Sequence, residues 1–303
     1  MKEIEGSVIS FFGASVTVQK NSYARILTKK LKCQSNIFGY GGCNLPDAGM
    51  IYIDDVLKIK PEICFIDWFS TGYRTFDENT IKKYMNTIVY KFSKQNCKLI
   101  FLFLPHRNYS QSDSFMLKWH NSIKQYLDKN YLFYIDLNKN LKYSKEIIRD
   151  SVHTTELGAK IYSDLIYKNL ILNYDKLKIP NNIEKTELIN LKKLNINRNF
   201  KKYMNIKGDS TIVTCSLEIG PNSGYIDIGE RTFLLWDQWC HYNRHSNKLN
   251  NINVDGDMQF KISQQKVDYS TCRRDYNFDN IKFELHIKEI YYIGNFLELI
   301  DGL

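Results

Sequence analysis

Apolar positions in the first half of the chain follow two patterns in turn. Short strand-like runs, mostly apolar, occur at Val8–Phe12, Ser35–Phe38, Ile63–Trp68, Leu99–Leu104 and Leu132–Leu137. Between them the spacing lengthens to three or four. Ile81, Tyr84, Ile88 and Phe92 share one helix face, Phe115, Trp119, Ile123 and Leu127 a second, and Leu157, Ile161 and Leu165 a third. The short runs bounded by turn residues read as buried strands, and the longer periodic stretches as helices. Strands each followed by a helix predict a parallel sheet covered on both faces, a three-layer α/β sandwich with right-handed crossovers. The expected strand order is 2-1-3-4-5, which places ligands outside the carboxyl ends of the strands.

The pattern loosens from Asn173 to about Lys207, where lysine and asparagine dominate and Pro180-Asn181-Asn182 interrupts the chain. Leu188, Leu191, Leu194 and Ile196 allow a short helix there. The stretch reads as a linker packed on the first domain. After Gly208 the period drops to two: Ile212–Leu217, Tyr225–Ile228, Thr232–Leu235 and the alternating Ile281–Lys288 are strand candidates. Turns such as Gly220–Gly224 and Asp255-Gly256-Asp257 separate them. The expected organisation is an α/β domain over residues 1–173, a linker over 174–207 and an antiparallel β domain, a small sandwich or barrel, over 208–303.

Composition narrows this picture. A chain of 303 residues with 43% hydrophobic residues can bury one large core or two ordinary ones. No run is apolar for the 18 or so residues that a transmembrane helix needs. The start, Met-Lys-Glu-Ile-Glu-Gly, lacks a signal-peptide pattern, so the expected location is the cytoplasm. Seven cysteines without a Cys-x-x-Cys read as reduced thiols, and no spacing supports a metal site. The net charge of +9 comes from lysines spread along the chain without a run of five basic residues. That distribution argues against a nucleic-acid partner; weak attraction to an anionic substrate or a membrane surface fits as well. The sequence leaves the oligomeric state open.

The candidate chemistry begins at Phe11-Phe12-Gly13-Ala14-Ser15-Val16-Thr17, where a strand meets a helix through a small-residue turn. Ser15 is either a helix N-cap or a nucleophile beside backbone N–H groups able to hold an anion. A nucleophilic serine needs a base, and the base an orienting acid. Asp150-Ser151-Val152-His153, just before the last helical pattern of the first domain, supplies both on one turn. Gly13-Ala14-Ser15 after the first strand and Asp150-x-x-His153 before the last helix resemble the blocks of the SGNH (GDSL-like) hydrolases over residues 6 to 173. The resemblance implies a flavodoxin-like five-stranded α/β sandwich and a Ser15–His153–Asp150 triad without cofactor or metal. It further implies an oxyanion hole formed by the Ser15 and Gly42 N–H groups, Gly42 lying in the glycine-rich turn Gly39-Tyr40-Gly41-Gly42. The family's third block ends in Gly-x-Asn-Asp, whereas this chain has Asp67-Trp68-Phe69-Ser70-Thr71-Gly72. Thr71 takes the asparagine's place there, with Asn44 and His106 as alternative donors.

Further positions are candidates for substrate contact. Asn44, His106 and Arg107 follow strands on the same edge as Ser15, and Arg107 suits a carboxylate or phosphate. Asp67 at a strand end fits orienting a base, binding a sugar hydroxyl or a structural hydrogen bond. Trp236 and Trp239, in Trp236-Asp237-Gln238-Trp239-Cys240-His241-Tyr242, offer aromatic faces beside polar groups, as sugars require, or fill a small β core. The resemblance implies a serine esterase acting on an acylated, for instance acetylated, carbohydrate or a related small ester. An O-acyltransferase working through the same acyl-enzyme, and a non-catalytic module that binds sugar or protein, are the alternatives.

Overall fold

A computed structural model describes residues 4–69, 78–107, 115–139, 141, 143–180 and 188–302. The chain divides into two units, Met1–Ile189 and Asn190–Leu303. In the first, the order is β1 (Val8–Ala14), α1 (Ser15–Val18), α2 (Tyr23–Leu31), β2 (Gln34–Tyr40), a π-helical turn (Leu45–Gly49), α3 (Ile53–Lys58) and β3 (Ile63–Asp67). It continues with α4 (Glu78–Ser93), β4 (Lys98–Phe103), α5 (Phe115–Lys129), β5 (Tyr134–Asp136) and α6 (Glu156–Leu172). The strands form a parallel sheet in the order β2-β1-β3-β4-β5, as the alternation of elements predicts. All five residues of β3 are buried, because helices cover both faces of a parallel sheet and leave no wet side to alternate with. The chain winds one way from β1 to β2 and the other way from β1 to β3. The crevice at this switch point opens beyond the end of β1, where Ser15 begins α1.

The helix faces mostly follow their periodicity. Ile81, Tyr84, Ile88 and Phe92 are buried, as are Trp119, Ile123 and Leu127. The third face is a correction. Leu157 is 51% exposed, and α6 buries Gly158, Ala159, Tyr162, Ile166 and Leu170 instead. A Cβ at Gly158 would lie 2.0 Å from the Ile147 carbonyl oxygen, so close backbone approach selects the small-residue side over the leucines.

The second unit holds β6 (Lys192–Phe200), β7 (Tyr203–Ile219), β8 (Tyr225–Ile228), β9 (Arg231–Leu234), β10 (Arg244–Ile262) and β11 (Leu285–Gly302). They form one antiparallel sheet in the order β6-β11-β7-β10-β8-β9, with register shifts that let the long strands twist and bend. Its core gathers Phe200, Met204, Val213, Leu217, Leu249, Phe260 and Ile287.

Two expectations for the second half are corrected. The linker expected over 174–207 is strand from Lys192 onward, and the helical spacing of Leu188, Leu191, Leu194 and Ile196 is overridden. β6 is an edge strand, paired with β11 alone, and its lysines and asparagines face solvent as edge strands require. Such a strand reads as loop. The preceding residues do pack on the first unit: Leu177 is in its core, and the Ile189 N–H donates to Thr87 Oγ1 at 2.8 Å. The strand expected from Ile281 begins at Leu285. Before it the Glu284 N–H donates to the Asn222 carbonyl at 3.0 Å, so the 220–224 turn, not a ladder, holds this segment. No helix among the described residues is long and apolar enough to cross a membrane.

Candidate active site

The site is built from three turns at the carboxyl edge of the sheet. In the first, Gly13 is packed so tightly that a Cβ would lie 2.5 Å from both the Asp67 carbonyl oxygen and Thr17 Oγ1. Only glycine fits there. Ala14, in extended conformation, occupies the N-cap position of α1 without a side-chain bond, so Ser15 is not the cap. Its hydroxyl is instead hydrogen-bonded to His153: Ser15 Oγ lies 2.8 Å from His153 Nε2.

The second turn carries the histidine. His153 Nδ1 lies 2.9 Å from Asp150 Oδ2. The other carboxylate oxygen accepts the backbone N–H groups of Val152 at 3.0 Å and His153 at 2.9 Å. Partial burial raises the Asp150 pKa, but these donations and the His153 ring outweigh it and lower the value to about 2. Asp150 is therefore ionised wherever His153 can act as a base. Because a carboxylate can only accept, His153 Nδ1 carries the hydrogen and Nε2 presents its lone pair to the Ser15 hydroxyl. Thr155 caps α6 by accepting the Gly158 N–H at 3.0 Å, which fixes where the turn ends.

The third turn follows β2. A Cβ at Gly41 would lie 3.9 Å from Ser15 Cβ, so this loop borders the nucleophile. Gly42 has φ +72°, a left-handed conformation that glycine adopts without strain. Asn44 precedes the π-helical turn, and its N–H donates to Asp47 Oδ1 at 2.6 Å. Thr71, the expected counterpart of the family's asparagine, lies outside the described residues.

The remaining candidates have divergent environments. Asp67 is fully buried, a correction to its role as a substrate contact: no sugar hydroxyl reaches it. Its Oδ2 accepts from Thr17 Oγ1 at 2.7 Å and from the Tyr23 hydroxyl at 3.4 Å, so it anchors α1 from below. His106, expected on the Ser15 edge as a substrate contact or donor, is 4% exposed. Arg107 is exposed, and its backbone N–H donates to the Ser151 carbonyl at 3.0 Å, docking the loop after β4 against the Asp150 turn. In the second unit Trp236 is a core residue, edge-on to Tyr269 with ring centroids 5.4 Å apart, which corrects its substrate role. Trp239 is 46% exposed, with the Arg273 guanidinium 5.6 Å from its ring centroid.

Sequence reasoning missed Gln19. Its side-chain oxygen accepts from Thr154 Oγ1 at 3.1 Å and from the Thr154 N–H at 3.4 Å. That ties the end of α1 to the residue after His153 and so fixes nucleophile and base relative to each other. The only signal was its place one helical turn after Ser15. Thr17 and Tyr23, the partners of Asp67, carried none, because a buried polar cluster is formed by residues distant in sequence.

Burial pushes the Asp67 carboxyl up to about 7, against the opposing hydrogen bonds from Thr17 and Tyr23. Its Oδ1 has no partner among the described residues. The native state therefore keeps a proton that the unfolded chain releases near pH 4, and this carboxyl makes stability fall as pH rises from about 4 to about 7. Asp67→Asn removes that dependence. Urea titrations at pH 5 and pH 8 should show the variant's stability relative to wild type improving by roughly 2–3 kcal/mol between the two. A difference independent of pH would show that Asp67 titrates normally.

With this geometry in hand, comparison with known proteins places the fold. No family model and no curated sequence matches the chain. Among solved structures, a two-domain esterase (CEX) active on acetylated mannans matches over 98% of this chain and 93% of its own, with TM-score 0.62 and 12% identity. A catalytic mutant of Axe2, an acetylxylan esterase from Geobacillus stearothermophilus, covers 56% of this chain and 96% of its own (TM-score 0.48, 16% identity). The lipase/acylhydrolase from Enterococcus faecalis covers 57% and 98% (TM-score 0.48, 16% identity). The first unit has the fold of the SGNH, or GDSL-like, hydrolases, followed by a separate antiparallel β unit.

Proposed function

We propose that the protein is a serine esterase that removes an acyl group, acetyl above all, from a carbohydrate. The observation that carries this reading is the continuous chain of hydrogen bonds from Ser15 Oγ through the His153 ring to Asp150. Ser15 Oγ attacks the acyl carbon while His153 Nε2 takes its proton. The carbonyl oxygen becomes an oxyanion, held by the Ser15 and Gly42 N–H groups in this reading. Collapse of that intermediate breaks the ester bond, and His153 returns the proton to the departing sugar oxygen. Water, deprotonated by His153, then attacks the acyl-enzyme and releases carboxylate and free Ser15. Asp150 holds the imidazole in the required tautomer and stabilises its positive charge during each transfer. Thr71 completes the oxyanion hole as a hydroxyl donor in the same reading.

Carbohydrate as the alcohol is supported by the two-unit esterase active on acetylated mannans, which this chain resembles over nearly its whole length. Exposed Trp239 and Tyr242 give the second unit aromatic faces suited to stacking on sugar rings. The test is labelling with a fluorophosphonate together with acetate release from acetylated mannan. Modification at Ser15 and release of acetate are expected. A folded protein that neither takes up the label nor cleaves an aryl acetate is a binding module, and the esterase reading is then wrong.

A further inference from the structure

A groove opens beside the acid–base turn. One part, about 430 Å³, is lined by Gln19, Arg149 and Thr154 next to His153. It shares Lys20, Asn21 and Glu156 with a larger part of about 1090 Å³ that runs along α2, β2 and the first turns of α6. The larger part alone exceeds the roughly 300–1,000 Å³ of pockets that enclose drug-sized ligands. It has room for several linked sugars.

The charge of this groove is one-sided. Lys20, Arg25, Lys29 and Lys160 line it with no ion-pair partner among the described residues. Lys30 is engaged by Asp164, and Glu156, the one acidic group on the wall among the described residues, accepts from Asn21 Nδ2 at 2.6 Å. Arg25 and Lys29 stand one helical turn apart, with Cβ atoms about 6 Å from each other. A cleft lined by one sign of charge concentrates ligands of the opposite sign. Ile26, Ile37 and the half-exposed Leu157 also line the groove, and these suit the C–H faces of sugar rings. No aromatic ring among the described residues lines the groove to stack a nucleobase, which disfavours a nucleic-acid strand.

We infer that the substrate is an acidic polysaccharide whose carboxylate-bearing sugars lie along this groove while the acylated sugar reaches Ser15. The inference rests on the esterase reading and names its substrate class. The groove cations bind ground state and transition state alike, so they act on KM and on the salt dependence of kcat/KM rather than on kcat.

The experiment compares wild type, Arg25→Glu/Lys29→Glu and the control Lys129→Glu/Lys168→Glu, which has the same net charge but lies outside the groove. Each is assayed on acetylated polyuronate, on acetylated mannan and on an aryl acetate, at low and high salt. Wild type should prefer the polyuronate at low salt and lose the preference at high salt. The groove variant should lose about tenfold in kcat/KM on the polyuronate only, and the control should behave as wild type. Affinity for the de-esterified polyuronate, measured on Ser15→Ala, should fall in the same way when the groove charges are reversed. Equal wild-type kcat/KM on the two polymers at low salt, or equal losses in groove variant and control, overturns the inference while aryl acetate turnover leaves the esterase reading intact. Absence of aryl acetate turnover in the wild type defeats the esterase reading instead, and the binding measurement then decides the groove by itself.

Discussion

Ser15→Ala is expected to lower kcat by about six orders of magnitude on an aryl acetate, the cost typical of removing a triad nucleophile when chemistry limits the rate. Among the described residues the Ser15 hydroxyl has one partner, His153 Nε2 at 2.8 Å, and it does not cap α1, whose cap position is Ala14. Removing it takes no structural bond from the helix, and alanine is the better helix former. The melting temperature should therefore stay within a few degrees of wild type, and the fluorophosphonate label should be lost. Single-turnover kinetics on the purified variant checks the rate, and thermal unfolding and probe labelling check the rest. Turnover within tenfold of wild type would place the activity on another residue.

Asp150→Asn is expected to lower kcat by about 10⁴ with little change in KM. The carboxylate has two tasks, divided between its oxygens. One accepts the Val152 and His153 N–H groups, and an asparagine carbonyl oxygen continues to do so. The other accepts from His153 Nδ1, and there the asparagine presents an N–H₂ group. The ring is then driven to the tautomer with hydrogen on Nε2, which cannot take the Ser15 proton. The fold survives because the turn keeps its backbone bonds, so near-native circular dichroism with a collapsed kcat is the expected pairing. A wild-type rate in Asp150→Asn would mean that Asp150 only shapes the turn. The depressed Asp150 pKa bears on stability in the opposite sense to that of Asp67. A carboxyl lowered to about 2 contributes stability above its unfolded value near 4, lost as pH falls toward 2. With half of its side chain in solvent, that contribution is screened and small.

The sequence by itself determined the parallel sheet, its strand order and the meeting of Ser15, His153 and Asp150 at its carboxyl edge. Buried strands of a covered sheet must be continuously apolar, and helices must repeat near 3.6, so residues 6–173 announce their elements without reference to distant contacts. Ser15, Asp150 and His153 were legible for a related reason: Ser15 follows a strand through a small-residue turn, and Asp150 and His153 share one short turn before α6, so local sequence marks both places. Tertiary structure decided what depends on distant partners. α6 turns its glycine and alanine inward because the Ile147 carbonyl lies against Gly158, which no helical spacing encodes. β6 is a strand only because β11, some ninety residues later in sequence, offers it a ladder. Asp67 and Trp236 look like site residues at the level of residue type and became core because Thr17 and Tyr23, and Tyr269 and Phe278, close over them. Of the four groove cations unpaired among the described residues, Lys20 precedes α2, Arg25 and Lys29 lie on it and Lys160 lies on α6, and only the packing of α2 beside α6 puts them along one cleft. Periodicity reports on an element's own surface, whereas a buried polar cluster or a charged groove is a property of surfaces brought together by the fold.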